Sequence, residues 1–489
     1  MIKRLLFGLL GLVLLLAAVL VVNTLRQGSR QVQVPALAKL PVDEARVAES
    51  MAIAVRARTV SGLLDPAGVA LEFDKLHAHL RERYPLLHAT LKLEHVGHSL
   101  LYTWAGSDPA AQPFAFLAHQ DTVPIAPGTE VLWKKPPFAG VIEDGFVWGR
   151  GTLDNKSNLI TQMEAVEALL QAGFKPRRTV YLIAGHDEEV GGERGAVAIV
   201  ELFKQRKVRL EYVIDEGLVV TEGILPGVAQ PLALVGLAEK GSVSLLLTAQ
   251  AAPGHSSMPP SQAGQSAIGM LSAALVRLDQ QPMPGGVQGA AAAMFAAIAP
   301  ELPFGQRLAL SNLWLLRPVV EGMLGKSAAT NAMMRTSTAM TVLKAGQADN
   351  VLPGRAEAVV NFRILPGDTA DSVAAHVKRA IADERIEVKP VGPLFNPSSV
   401  SSPDAPAFAL IARTVREVFP DAMVAPGLML AGSDARHFQA VADNAYRFMP
   451  IRFKSEDLPR VHGTDERISA AQLADMVRFY HRLLQQSAQ

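Results

Sequence analysis

Thr179-Val180-Tyr181-Leu182-Ile183-Ala184-Gly185-His186-Asp187-Glu188-Glu189-Val190-Gly191-Gly192 is an apolar, β-rich run that stops against four polar residues and two glycines. The run reads as a strand buried in a sheet. The polar block is costly, because adjacent carboxylates repel unless cations or protons compensate them. The same arrangement occurs twice more: Phe114 to Ala118 ends at His119-Gln120-Asp121, and Tyr212 to Ile214 ends at Asp215-Glu216-Gly217. Between the first two runs, Leu159, Ile160, Met163, Val166, Leu169 and Leu170 repeat at helical spacing, and Gly173 ends the helix. Alternating strands and helices predict an α/β fold, a mostly parallel sheet flanked by helices. In such sheets ligands bind beyond the carboxyl ends of the strands, so the clusters gather at one rim.

Outward from this core, the texture changes near Lys240. Ser242 to Thr248 and Glu357 to Leu365 read as strands with one polar face, and Ala267 to Leu278 and Ser372 to Ile381 as helices. Residues 241–391 are therefore expected to be an inserted α+β lid domain, interrupting a catalytic domain made of 49–240 and 392–489. Within the insertion, 288–324 is rich in Ala, Leu and Met; it reads as buried helices, an oligomer contact or a membrane-facing surface. Two domains suit a chain of 489 residues.

At the other end, Lys3 and Arg4 precede an uncharged stretch from Leu5 to Val22, long enough to span a bilayer. No small-x-small cleavage site follows it. Residues 1–26 are read as an N-terminal transmembrane helix and 27–48, punctuated by Pro35 and Pro41, as a linker. Lys3 and Arg4 favour a cytoplasmic amino end, against Arg26 and Arg30. The expectation is a single-pass membrane protein with its catalytic body outside the cytoplasm; the alternative is a secreted or periplasmic protein after signal removal.

Composition excludes other chemistries. Apolar residues make up 49% and charged residues 19%, as in globular proteins, and a net charge of +1 leaves no nucleic-acid footprint. With no cysteine, disulfides, thiolate metal sites and cysteine nucleophiles are ruled out, and any metal site must use His, Asp and Glu. Gly254-His255-Ser256-Ser257-Met258 departs from a serine-hydrolase elbow at its last position. Gly325-Lys326-Ser327 lacks the first glycine of a phosphate loop, Val320 standing there. No His-Glu-x-x-His occurs.

Five clusters carry candidate chemistry: His119-x-Asp121, Gly149-Arg150-Gly151-Thr152-x-Asp154-x-Lys156, Asp187-Glu188-Glu189-Val190-Gly191-Gly192, Asp215-Glu216-Gly217 and His462-Gly463. Singly, each has a plainer reading; Asp154 suits a helix cap. Jointly they supply nitrogen and oxygen ligands enough for two zinc ions sharing a carboxylate. With Gly254-His255-Ser256-Ser257-x-Pro259 and Asn361-Phe362-Arg363-x-x-Pro366-Gly367, these motifs resemble the co-catalytic zinc family of glutamate carboxypeptidase, aminoacylase and carboxypeptidase S, nearest the carboxypeptidase S branch.

The resemblance implies roles. His119 and Glu216 would bind one zinc, with Asp215 an alternative to Glu216. Glu189 and His462 would bind the other, and Asp154 would bridge them. Asp121 would orient His119, Glu188 would be the general base, and His255 would stabilise the oxyanion. Arg363 and Asn331 would hold a substrate carboxylate. Gly432-Ser433-Asp434-x-Arg436 resembles a substrate loop, in which Ser433, Asp434 and Arg436 either touch substrate or support the site. The implied activity is hydrolysis of the amide bond of a small peptide or N-acyl amino acid with a free carboxylate. An aminoacylase or aminopeptidase, and a catalytically silent binding protein, are the alternatives. Pairing of two copies through the lid is a further implication.

Overall fold

The computed structural model describes residues 2–35, 38–62, 66–225 and 227–489. Residues 36 and 37 of the expected linker lie outside them.

An eight-stranded sheet forms the centre of the larger unit. Its strands run, edge to edge, Lys92–Val96, Ser99–Trp104, Val180–Gly185, Phe114–His119, Leu210–Glu222, Ala442–Lys454, Leu232–Glu239 and Met423–Met429. The four strands from Val180–Gly185 to Ala442–Lys454 pair in parallel, and so does the far edge pair; antiparallel pairings make the rest of this mixed sheet. Phe114–His119 is buried at every position, as the central strand of a two-sided sheet must be. One face is covered by Glu44–Arg56, Lys156–Gln171, Pro406–Val418 and Ala470–Ser487, and the other by Ala196–Gln205. The Lys156–Gln171 helix is buried along most of its length, and Gly173 turns the chain out of it at a φ of 72°.

The third apolar run does not end at Ile214. Its strand continues to Glu222, with an interruption: Arg447 faces Asp215, and the next partner pair is Phe448 with Leu218. Gly217, at a φ of 138°, lets the register skip and sets Glu216 at the rim.

A smaller sheet, in the order Ser337–Lys344, Arg355–Ile364, Gly241–Gln250 and Ile386–Phe395, is fully antiparallel. The helices Ala267–Gln280 and Ala370–Ile381 pack on one face, around Leu245, Leu271, Phe362 and Val377. The two sheets meet at Lys240, between Glu239 of one and Gly241 of the other. Its buried ammonium donates to the carbonyls of Ala332 and Arg335 (both 2.8 Å), closing the end of the helix Ala328–Met334.

The apolar helices Gly289–Ile298, Phe304–Ser311 and Leu313–Leu324 share a core with Leu232 and Leu234 and with Met423 and Ala425 of the edge strand. The N-terminal helix Ile2–Arg26 is long and apolar enough to cross a membrane. It packs against the Phe304–Ser311 helix.

Candidate metal centre

At the carboxyl ends of the parallel strands, two imidazoles and three carboxylates converge. His119, the last residue of its strand, points Nε2 at Asp154 Oδ1 (2.9 Å) and Glu216 Oε1 (3.3 Å). His462 points Nε2 at Asp154 Oδ2 (2.9 Å) and Glu189 Oε2 (3.2 Å). Asp154 thus turns one oxygen to each of two separate imidazole–carboxylate pairs. Within each trio the candidate ligand atoms lie within 4.8 Å of one another.

The surrounding bonds fix these orientations. His119 Nδ1 lies 3.0 Å from the Asp121 carbonyl and 3.4 Å from its carboxylate. A proton on Nδ1 satisfies both and leaves the Nε2 lone pair facing the cluster. Asp121 also accepts from the amides of Glu188 (3.2 Å) and Glu189 (3.1 Å) and from Ser61 Oγ. One carboxylate therefore holds the first imidazole and the turn bearing two acids. Glu216 accepts from Asn155 Nδ2 (2.7 Å), and the peptide between Asp154 and Asn155 is cis. Both Asp215 oxygens are taken by backbone amides, those of Glu216 and Ala435 (each 2.8 Å).

Asp154 and His462 are far apart in sequence, and a buried ion pair joins their loops. Arg150 meets Glu466 at 2.7 Å and also donates to the carbonyls of His462 (3.1 Å) and Gly463 (3.0 Å). Glu466 in turn accepts from the amides of Leu153 (2.7 Å) and Asp154 (3.3 Å). Gly151, at a φ of 88°, makes the turn that brings these groups together. Below it the buried Lys156 ammonium donates to the Ala54 (3.0 Å) and Ala57 (2.6 Å) carbonyls, and burial pushes it down to about 7.

The electrostatics are those of an under-neutralised acid cluster. Burial drives the Glu216 carboxyl well above its ordinary value against the pull of His119, and Asp154 and Asp215 add to it. Burial does the same to Glu188, with Glu216, Asp434 and Asp154 adding and His119 opposing. Bonds to Asp154 and Glu189 lift His462 to about 10. For His119 burial works downward, yet Glu216, Asp121 and Asp154 outweigh it and hold the imidazolium well above its usual range. Protons here do what divalent cations would do better: neutralise clustered carboxylates. The nitrogen and oxygen donors, and the carboxylate facing both ways, fit a pair of such ions.

The remaining expected site residues lie outside the two trios. Ser433 is buried and bonds Glu239 (2.8 Å), which also pairs with the buried Arg447 (3.0 Å). Arg436 donates to the Gly191 carbonyl (3.2 Å), bracing the turn after Glu189. Asp434 packs against that turn: a Cβ on Gly192 would fall 2.3 Å from its Oδ1. His186 is directed away, to Ser99 (2.7 Å). His255 sits exposed in a two-stranded ribbon, bonded to Ser257 (2.7 Å), and Arg363 is exposed on the smaller sheet. Asn331 is half-buried in the helix capped by Lys240. Among the described residues, no hydrogen bond or ion pair joins these three to the acid cluster.

Sequence reasoning passed over Ser61, Asn155, Arg150, Lys156, Glu239, Lys240 and Glu466 as working parts. An arginine between two glycines and an acid four residues after His462 were the available signals for one pair. Ser61 and Lys240 had none.

Comparison with known proteins agrees with this geometry. Residues 115–486 match the sequence profile of peptidase family M20/M25/M40, so the chain belongs to that family and is a hydrolase of metallopeptidase type. It is 41% identical over 414 residues to the N-fatty-acyl-amino acid synthase/hydrolase PM20D1 of Xenopus tropicalis, covering 84% of this chain and 80% of that one. It is 36% identical over 501 residues to a probable carboxypeptidase S-like 2 of Dictyostelium discoideum, covering 99% and 93%. The fold is shared with the M20 family metallo-carboxypeptidase Sso-CP2 from Sulfolobus solfataricus (TM-score 0.65, 18% identity, 91% of this chain and 99% of that one). Human carnosine dipeptidase 1 also shares it (TM-score 0.62, 17% identity, 91% and 96%).

Proposed function

We propose that this chain is a membrane-held, two-zinc hydrolase that cleaves the amide bond of small peptides or N-acyl amino acids beside a free carboxylate. The observation that carries the reading is Asp154, with its two oxygens on two imidazole–carboxylate pairs. His119, Glu216 and Asp154 would hold one ion, and His462, Glu189 and Asp154 the other. Glu216 is preferred over Asp215, whose oxygens are occupied by amides. When bound, the ions supply Lewis acidity that lowers the pKa of water and polarises a carbonyl.

The chain's own groups do the rest. Asp121 keeps the His119 proton on Nδ1. Glu188, free of side-chain bonds among the described residues, takes the proton of the attacking water and hands it to the leaving amine. His255 donates to the developing oxyanion, while Arg363 and Asn331 grip the substrate carboxylate. All three belong to elements outside the eight-stranded sheet, so the smaller unit closes over the rim during turnover. The names of the relatives, a carboxypeptidase S-like protein and an N-fatty-acyl-amino acid synthase/hydrolase, support both substrate classes.

The N-terminal helix is read as a retained anchor, with the body outside the cytoplasm. Its last two turns make specific bonds to the body: Asn312 Nδ2 donates to Leu20 O (3.2 Å) and Thr24 Oγ1 (3.1 Å). Pairing of two copies belongs to the same reading; the edge strand Ser337–Lys344 exposes Met340, Val342 and Leu343.

Metal content measured together with turnover tests the reading. Wild type should carry about two zinc ions per chain and cleave Gly-X dipeptides or N-acyl amino acids. Glu188→Gln should keep the metal and lose turnover. A metal-free or equally active variant would move the chemistry elsewhere.

A further inference from the structure

The apolar helices between Gly289 and Leu324 do not close into a sealed core. Phe304, Trp314, Val319 and Met323 are 53%, 61%, 60% and 68% exposed, and Leu315 lies among them. A contiguous apolar face of this kind is unusual on a water-soluble surface. Behind it lies a cavity of 290 Å³, lined by Leu225, Met294, Ile298, Leu310, Val320 and Met323. Met323 belongs both to the cavity wall and to the exposed face, so the cavity opens on that face.

The same face is bolted to the N-terminal helix. Asn312, fully buried between the last two insert helices, receives Asn23 Nδ2 on its Oδ1 (3.2 Å) besides its bonds to Leu20 and Thr24. Arg307 donates to the Gln27 carbonyl, and Gln31 Nε2 to that of Ala297 (3.3 Å). Thr24 is buried, while none of the apolar window of the helix is buried in the body. A flexible tether would leave the body free to tumble; this joint fixes which surface adjoins the point where the helix leaves the body. Trp314 is an interfacial residue by chemistry, and the exposed Lys326 on the same segment has a stem long enough to reach phosphates.

We propose that the insert helices Phe304–Ser311 and Leu313–Leu324 rest in the bilayer that the N-terminal helix enters, with a lipid acyl chain occupying the cavity behind them. The proposal rests on the reading of that helix as a retained anchor. Its occupant is hydrocarbon because the lining is mostly apolar and Met323 carries the cavity wall onto the exposed apolar face of the helices that bind the anchor.

Trp314 provides the test. Of the four tryptophans, Trp104, Trp133 and Trp148 are buried, so the exposed Trp314 reports on this face alone. The full chain is reconstituted in phosphatidylcholine vesicles with and without bromine on the acyl carbons, and floated on a density gradient. We expect it to float, and bromolipid to abolish most of the emission that Trp314→Phe lacks. A nitroxide on Met323→Cys, unique in this cysteine-free chain, should then relax with dissolved oxygen and not with an aqueous nickel chelate. Three results overturn the proposal. A chain that floats but is quenched only by aqueous acrylamide keeps its anchor and loses the platform. A chain quenched by neither, and cross-linked as a dimer, has this face covered by a second copy. A chain that does not float loses the anchor reading as well.

Discussion

The rim of the eight-stranded sheet and the exposed residues of the smaller unit are built on opposite plans. At the rim every candidate ligand is held by a second group: His119 by Asp121, Glu216 by Asn155, Glu189 by the Val123 amide, and the Asp154 and His462 loops by the Arg150–Glu466 pair. In the smaller unit, His255 and Arg363 stand in solvent. The contrast teaches where folding energy is spent. Holding clustered like charges needs a rigid, buried frame, whereas the groups proposed to meet the substrate only during turnover stand in solvent, free to move.

That division can be broken from either side. The largest effect is expected from Glu188→Gln: turnover should fall by about 10²- to 10⁴-fold with metal content and thermal midpoint unchanged. Loss of metal in that variant would make Glu188 part of the frame. Glu466→Ala should act on the frame itself. It leaves Arg150 buried without its acid and should cost about 3–5 kcal/mol in denaturant unfolding, together with weaker metal retention. An unchanged midpoint would mean that the pair does not hold the rim.

His255→Ala sharpens the other half. The turnover number should drop by about 10²-fold while zinc content and stability stay as in wild type. Arg363→Lys should raise KM, with a loss of about 1.5–3 kcal/mol in binding, because a point charge cannot reproduce the two-pronged grip. A kcat effect without a KM effect would take Arg363 out of carboxylate binding. Smallest of all, Ser433→Ala should cost about 1 kcal/mol of stability by removing one partner of Glu239, with KM unmoved.

Much of this was legible in the chain, for a physical reason. Buried strands announce themselves by apolar runs, and the residue at which a run stops is placed at the rim by the fold; His119, Glu188 and Glu189 could be found that way. The resemblance to a zinc family added the roles of Asp154 and His462. The supporting tier was not legible, because its members act across long separations in the chain, 316 residues for Arg150 on Glu466 and 92 for Lys240 on Ala332. The strand through Glu216 was expected to stop at Ile214; one glycine conformation carries it eight residues further, to Glu222. The insert's joint with the N-terminal helix rests on Asn312, a polar residue in an apolar stretch whose partners lie near the other end of the chain.

The central claim is that Asp154 belongs to both metal sites. Zinc titration of the metal-stripped full chain, followed calorimetrically, tests it against three variants. His119→Ala and His462→Ala should each lose one of about two sites, and Asp154→Ala should weaken both together. Full, tight binding at both sites in Asp154→Ala, or loss of only one, would contradict the account.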